Sequence, residues 1–266
     1  MPKISVIMGV YNCKDIDALN KSVNSIINQT YTDWEFIICN DGSTDNTLNI
    51  LKKIEMKDER IKIISYEKNK GLRYALNKCI EESKGKYIAR QDDDDISEKN
   101  RFEKQISYME KHRDISIVGC RANVFDKNDV WGKYNVPEYP NKTDFYWNSP
   151  FIHPTVIIRK DDLIKAGCYR VAKETRRCED YDLFMRMYSL GMVGHNLQEE
   201  LYRYNISVGN KKYRPMKYRI DEAKVRFIGY KKMGVLIKGI PYIMKPIIIG
   251  LIPQFIFKNI TIKQYT

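Results

Sequence analysis

Tyr87-Ile88-Ala89-Arg90-Gln91-Asp92-Asp93-Asp94-Asp95 decides how the chain is read. Tyr87, Ile88 and Ala89 form a short apolar run with the length of a buried strand, and it leads into four consecutive carboxylates. Adjacent like charges repel and are ordinarily dispersed over a solvated surface. At the C-terminal edge of a strand in an open α/β sheet they converge instead on the crevice where such sheets bind ligands. A hard divalent cation there would remove the repulsion, since carboxylate oxygens are preferred ligands of magnesium, manganese and calcium. The plainer alternative is a solvated acidic loop that caps a helix beginning near Ser97.

Upstream, strand and helix patterns alternate. Residues 4–11 read as a first strand. Ile16, Leu19, Val23, Ile26 and Ile27 then share one face of a helix within 15–30. Residues 34–40 form a second strand, closed by the turn Asp41-Gly42-Ser43-Thr44-Asp45, and a helix spans 47–56. A third strand (61–66), a third helix (72–83) and a fourth strand (85–91) lead into the acidic run. Strands separated by single helices of this length imply right-handed βαβ units and a mostly parallel sheet. The fold class is α/β, a single nucleotide-binding domain of Rossmann-like build. No GxGxxG follows the first strand and no GxxxxGK[ST] occurs, so the dinucleotide and P-loop fingerprints are missing. Tyr11-Asn12, Asp41 and Asp92 to Asp95 end strands that lie side by side in such a sheet. Together they offer a ring to stack on a base, a carboxylate for its ring N–H, and carboxylates for a metal on a diphosphate.

Composition sets the outer bounds. With 266 residues and 43% apolar content, the chain can bury the core of one large α/β domain plus an appendage. Cys13, Cys39, Cys79, Cys120, Cys168 and Cys178 form no CxxC pair and no ligand spacing, which predicts free thiols in a reducing compartment. A strand starting at Ile4 leaves no room for a signal peptide, so a cytoplasmic location is expected. The net charge of +12 comes largely from a basic belt after residue 202, and no nucleic-acid recognition motif accompanies it.

Ser5-Val6-Ile7-Met8 leading to Tyr11-Asn12, then Asp41-Gly42-Ser43-Thr44-Asp45, then Tyr87-Ile88-Ala89-Arg90 running into Asp92 to Asp95 resemble the family 2 glycosyltransferases, the inverting nucleotide-sugar transferases. Arg101-Phe102-Glu103-Lys104-Gln105, His153-Pro154-Thr155-Val156 and Glu179-Asp180-Tyr181-Asp182 extend the resemblance, which covers residues 3 to 205 or so in the expected order. It implies a glycosyltransferase A-type fold with a mixed central sheet, a UDP-sugar as the commonest donor, and a divalent metal, manganese or magnesium, on Asp94 and Asp92. Asp41 then matches the residue that reads the uracil and Tyr11 the one near base and ribose. Arg73 and Asp93 are grouped with the donor-binding residues, and His153 is a further candidate for the metal or the diphosphate. In the family the second acid of the Glu-Asp pair deprotonates the acceptor hydroxyl, which assigns the base to Asp180 with Glu179 as its alternate. Two positions depart from the pattern: Asp93 replaces a small residue between the first two acids, and Lys99 replaces a proline common after the cluster.

The second half should shape the acceptor site. A strand is expected at 115–125, then an irregular stretch over 126–149 whose Trp131, Tyr134, Tyr139, Tyr146 and Trp147 suit the apolar faces of sugar rings. A strand at 156–159 and a helix at 181–190 follow, with Asp180 as N-cap. The expected division is a catalytic domain over 1–205, with a nucleotide-binding half (1–115) and an acceptor half (116–205), and a tail over 206–266. Residues 235–257 are almost wholly apolar, yet Pro241, Pro246, Pro253, Lys238 and Lys245 interrupt them. A straight transmembrane helix is therefore disfavoured, and broken amphipathic helices lying in the membrane interface are expected. Packing of the tail on the domain, or on a second subunit in a homodimer, is the alternative. No Gln-x-x-Arg-Trp motif of processive relatives occurs. The expected function is a single sugar transfer from a nucleotide-sugar donor to a glycan or lipid-linked acceptor, at the inner face of the membrane, in surface-polysaccharide synthesis. The rivals are a nucleotidyltransferase on sugar phosphates, which would need a glycine-rich basic loop where Gly9-Val10-Tyr11-Asn12-Cys13 stands, and a non-catalytic nucleotide-binding membrane partner.

Overall fold

The computed structural model describes residues 1–127, 129–206 and 214–251. Strands β1 (Ile4–Val10), β2 (Trp34–Asn40), β3 (Ile61–Ser65) and β4 (Tyr87–Arg90) alternate with helices α1 (Ile16–Ile27), α2 (Thr47–Glu55) and α3 (Leu72–Glu82). Each lies inside the stretch that the hydrophobic pattern predicts. The strands pair in parallel in the order β3-β2-β1-β4. Strands β1, β2 and β4 are buried on both faces, which is why they read as near-continuous apolar runs, whereas β3 at the sheet edge keeps Lys62 and Ser65 exposed.

After the acidic run the pattern changes. Ile96 and Ser97 do not open a helix. They form a two-residue strand, β5 (Ile96–Ser97), antiparallel to β9 (Val193–Asn205), and helix α4 (Arg101–Lys111) starts later. The Ser97 side chain explains the difference, since its hydroxyl donates to Gln91 Oε1 at 2.7 Å inside the protein while its N–H donates to Ser25 Oγ at 3.1 Å. Those bonds hold the segment extended before a helix can begin. Strand β6 (Ile115–Asp126) is followed by β7 (Asp129–Tyr134), so the stretch over 126–149 begins with a β-hairpin and not with irregular chain. Strand β7 is mostly solvent-facing and lacks the apolar alternation that would have announced it. Next come β8 (Ile157–Arg159), α5 (Lys160–Lys165), α6 (Glu179–Ser189), β9, α7 (Met216–Met233) and α8 (Leu236–Leu251).

The sheet runs β3-β2-β1-β4-β8-β6-β9-β5, with β7 beside β6. Strand β8 enters antiparallel to both β4 and β6, and β9 lies parallel to β6. Parallel and antiparallel pairings are therefore evenly mixed, four of each among the described residues, where a mostly parallel sheet was expected. One face is covered by α1, α2 and α4 through Leu19, Val23, Leu51, Ile54, Phe102 and Ile106. The other is covered by α3 and α6 through Leu76, Cys79, Leu183 and Phe184, and α7 joins that layer with Val225, Tyr230 and Met233. All six cysteines are free thiols, and Cys39, Cys79, Cys120 and Cys178 are buried.

Helix α8 lies along α7. Pro241 and Pro246 sit inside this one helix and do not break it. A proline costs an internal hydrogen bond and crowds the preceding turn, but packing against α7 supports both ends. A Cβ built on Gly239 would lie 2.5 Å from the Tyr230 ring, and one on Gly250 would lie 2.4 Å from Arg219 Cδ, so the two helices touch almost backbone to side chain. No described helix is long and apolar enough to cross a membrane. Pro253 and Phe257 lie outside the described residues.

The turn after β2 carries a sharp test. Gly42 has φ +63°, and a Cβ there would meet the Lys68 carbonyl carbon at 2.4 Å and Asn69 N at 2.5 Å, both backbone atoms. Gly191 has φ +81° with open space around it. Gly191→Ala should cost only the left-handed penalty, about 1–2 kcal/mol. Gly42→Ala should cost about 1–3 kcal/mol more in urea unfolding, because overpacking is added; equal losses would show that the 68–69 backbone yields freely.

Candidate active site

The C-terminal ends of β1, β2 and β4 open on one crevice. Beyond β1, Asn12 takes a left-handed conformation (φ +46°), which asparagine tolerates better than most residues. Its N–H donates to Ser43 Oγ at 3.0 Å and its Oδ1 accepts from Thr44 N at 2.9 Å, so the two strand-end turns are fastened together. Tyr11, between them, keeps 48% of its surface exposed at the mouth of the crevice.

Asp41 is buried under this turn. Its Oδ1 accepts from the Tyr66 hydroxyl at 2.5 Å and Lys70 N at 2.8 Å, and its Oδ2 from Asn69 Nδ2 and Gly71 N, both at 2.9 Å. A carboxylate has about four lone-pair sites. All are occupied, so in this state Asp41 organises the 66–71 turn that starts α3. Tyr66, Asn69 and Lys70 carried no signal in the sequence, because polar turn residues are common and their partner is distant in the chain.

The acidic run is partly sequestered, with Asp95 buried, Asp92 and Asp93 half-buried and Asp94 exposed. Arg90, buried at the end of β4, binds Asp92 Oδ1 and the Gln91 carbonyl. The Asp92 N–H donates to the Tyr202 hydroxyl at 3.3 Å and its carbonyl accepts from Ser22 Oγ at 2.7 Å. Asp95 is buried, with Oδ1 accepting from Asn205 N at 2.7 Å and Oδ2 unpartnered. Burial and the neighbouring acids push Asp93 up to about 6 and Asp94 up to about 7, and they raise Asp95 well above the carboxylate range. Beneath the run lies Arg101, fully buried, donating to Gln91 Oε1, Ser97 Oγ, Gln105 Oε1 and the Arg90 carbonyl. Of these supports Tyr202 and Asn205 were invisible in the sequence, since β9 itself was.

Among the described residues, no three His, Cys, Asp or Glu side chains converge into a ready cation cage. The oxygen donors of Asp92 and Asp94 nevertheless suit a magnesium- or manganese-type ion, which commonly takes one or two protein carboxylates and completes its shell with substrate phosphates and water. His153 stands apart from this set. Its Nε2 shares a 2.7 Å hydrogen bond with the Tyr169 hydroxyl, and burial, helped by Arg90, keeps the imidazole neutral well below its usual value.

Across the crevice, α6 starts with Glu179. Its N-cap is Cys178, so Asp180 lies within the first turn and not at the cap position expected for it. The preceding Arg177 is left-handed at φ +65°, a costly conformation for this residue type that sets the direction from which the helix enters. Burial, and secondarily Glu179, push Asp180 up to about 7, while the Tyr181 N–H pulls the other way. Glu179 is raised chiefly by burial against the opposing pull of Arg73. Arg73 itself is buried and clamps the 172–175 segment through the Ala172 carbonyl and Thr175 Oγ1. Burial raises the Tyr169 hydroxyl, which is also close enough to Arg90, Asp180, Glu179 and Asp92 to register all four charges. The acidic run and the Glu-Asp pair thus bound one site.

A Rossmann-like sheet with strand-end carboxylates on one side and a raised carboxyl at a helix start on the other defines a nucleotide-sugar transferase type of crevice. The chain belongs to glycosyltransferase family 2, whose pattern its residues 5–168 match. It is 40% identical over 259 residues to EpsE of Bacillus subtilis, named as a glycosyltransferase, a match covering 97% of this chain and 92% of that one. It is 31% identical to the UDP-Gal:alpha-D-GlcNAc-diphosphoundecaprenol beta-1,3-galactosyltransferase of Escherichia coli, covering 86% of this chain and 84% of the relative. The fold is similar to that of S. aureus TarS 1-349 in complex with UDP-GlcNAc, with TM-score 0.70 at 19% identity, over 91% of this chain and 73% of that one.

The raised Asp180 carboxyl has a thermodynamic consequence. A carboxyl whose folded pKa lies above its unfolded value favours the fold below the unfolded pKa and loses that contribution as pH rises through about 7. At pH 8 the native protein therefore carries the cost of a half-buried charge that Asp180→Asn lacks. The variant should melt at the same temperature or higher at pH 8, with its advantage shrinking towards pH 5. A variant that melts lower at both pH values would make Asp180 a structural support.

Proposed function

We propose that this glycosyltransferase moves a sugar from a UDP-sugar to a hydroxyl of a glycan or lipid-linked acceptor, with inversion, in cell-surface polysaccharide synthesis. The observation that carries this reading is the opposition of the acidic run to a half-buried carboxyl raised to about 7 at the start of α6. Two like charges with separate environments suit separate roles.

Tyr11 stacks on the base. A base N–H reaches Asp41 by displacing one of its four internal donors, most simply the Asn69 side chain. Asp180, ionised, accepts the proton as the acceptor oxygen attacks the anomeric carbon from the face opposite the diphosphate. The bond from that carbon to the diphosphate oxygen breaks, and its electron pair leaves with UDP. A positioned base contributes on the order of 100- to 10,000-fold, and alignment of donor and acceptor adds to it. Asp94 and Asp92 would hold the divalent cation, which when bound neutralises charge on the diphosphate as a Lewis acid. The acceptor class is supported by the E. coli relative, whose name gives a diphosphoundecaprenol-linked acceptor.

Contact with the inner face of the membrane belongs to the same reading. Ile237, Ile240, Met244, Ile248 and Leu251 are exposed along one stripe of α8, and Lys231, Lys232 and Lys238 are exposed beside it. Such a helix binds an anionic interface through apolar burial plus about 1 kcal/mol per basic residue.

Two measurements test these statements. Turnover should rise with pH through about 7 as Asp180 ionises. Asp180→Asn should lose about 100-fold or more in turnover with UDP binding retained, and Asp94→Asn should lose its response to manganese. Near-normal turnover of either variant would remove that residue from its role. For the membrane contact, the full chain should pellet with phosphatidylcholine–phosphatidylglycerol vesicles at low salt, and Met244→Glu with Ile248→Glu should abolish pelleting without lowering Tm. Pelleting that survives both changes would place the lipid contact elsewhere.

A further inference from the structure

The turn leading into α6 and the start of α7 bring basic side chains together next to the Glu-Asp pair. Arg176, chiefly, and Lys217 lie near enough to the Tyr218 hydroxyl to hold that phenol below its ordinary value. The Arg177 guanidinium lies 5.5 Å and the Lys217 ammonium 5.4 Å from the centre of the same ring. Arg214 donates to the Arg177 carbonyl at 3.2 Å, and its charge reaches Asp180. Among the described residues Arg214 has a carboxylate partner, Glu222 at 2.8 Å, whereas no ion pair engages Arg176, Arg177 or Lys217. Three exposed cations gathered round one ring form a positive patch suited to an anion.

We propose that Arg176, Arg177 and Lys217 bind the diphosphate of a polyprenyl-diphosphate-linked acceptor sugar, and that the exposed face of α8 takes the start of its hydrocarbon chain. The inference rests on the glycosyltransferase reading above and specifies its acceptor. Three observations lead to it. In an inverting displacement the acceptor arrives on the side of the base, away from the donor diphosphate and the acidic run. A sugar whose anomeric carbon bears a diphosphate then places that anion one ring away from the hydroxyl that Asp180 deprotonates, and Arg177 is only three positions before Asp180 in the chain. Arginine forks are suited to phosphate oxygens in this way. Finally, the apolar stripe is close by. The C-terminal part of α8 packs on the start of α7, with a Cβ on Gly250 falling 2.9 Å from Met216 Cε, and Arg219 Nη1 donates to the Pro246 carbonyl at 3.3 Å. Ile248 and Leu251 therefore lie at the same end of the helix pair as Lys217 and Tyr218. Charge and apolar surface are placed in the order of an amphiphile with an anionic head.

The test uses the full chain saturated with UDP, so that the donor site is filled. Farnesyl diphosphate, farnesol and inorganic pyrophosphate are titrated into the native protein and into Arg176→Gln combined with Arg177→Asn, the latter chosen because asparagine accepts positive φ. Farnesyl diphosphate should bind the native protein more tightly than either fragment. The double variant should bind it at least about tenfold more weakly, with UDP affinity and Tm unchanged, and Lys217→Gln should show a smaller loss. Equal affinity of the variant and the native protein overturns the proposal. A variant that keeps farnesyl diphosphate but loses phosphatidylcholine–phosphatidylglycerol vesicles shows that the patch serves bilayer headgroups, and also overturns it. Loss of UDP along with farnesyl diphosphate would assign the arginines to the donor site. Failure of the native protein to bind UDP at all would strike the donor reading itself, a separately visible result.

Discussion

The arrangement depends on balancing carboxylates crowded at one strand end, where water reaches them only in part. Four of them follow β4, with Asp95 buried, Asp92 and Asp93 half-buried and Asp94 exposed, and two buried guanidinium groups lie against them, Arg90 in direct contact with Asp92 and Arg101 one layer deeper. A buried charge without compensation costs several kcal/mol, so neither set could occupy this place alone. Arg101 satisfies its donors on neutral oxygens and contributes its charge at a distance, with Tyr202 stacked beside it at 5.1 Å. The antiparallel pairing of β5 with β9 brings Tyr202 and Asn205 to this cluster. The compensation is partial, as the raised Asp93 and Asp94 carboxyls record. A site left short of positive charge remains receptive to more.

Opposite it, the Glu-Asp pair is held by different means. Arg170 bridges Glu174 and Asp182, Arg186 grips Asp182 and the Ala166 and Cys168 carbonyls, and Arg73 ties down Ala172 and Thr175. These ties fix the 166–175 loop against α6, whose Leu183, Phe184 and Met187 anchor the helix by roughly 1.5–3 kcal/mol of burial each. The raised Asp180 carboxyl thus sits on a rigid element supported from both sides.

The nucleotide half was legible in the sequence because its signals are local. Buried parallel strands read as apolar runs, α1 shows its apolar face at helical spacing, and Asp41-Gly42 announces its turn. The far half of the sheet was not. Strand β9 is thirteen residues long but alternates around glutamate, glutamine and arginine, with register shifts against β6 that blur its period. Strand β7 is an exposed hairpin arm without an apolar face. The site residues were legible as acids and as motifs, but their partners were not. Nothing in Tyr66, Asn69 or Asn205 distinguishes a residue that completes a carboxylate from an ordinary turn or strand residue, because the contact spans 25, 28 and 110 positions of chain. In the tail, the prolines were read as breaks, yet tertiary packing carries α8 through two of them.

The saturation of Asp41 bears on the rhythm of the catalytic cycle. A nucleobase that claims an oxygen of this carboxylate competes with the chain's own turn, which behaves as a tethered rival for the same acceptor. Competition of that kind weakens donor and spent nucleotide alike. On the proposed role of Asp41, departure of the nucleotide would let the internal donors close over the carboxylate again, so that no buried charge is left bare. Enzymes of this sort are often limited by release of product and not by chemistry. On that role, a looser hold on the nucleotide would favour its release, and the turn between β3 and α3 would tune release as well as serve as scaffolding.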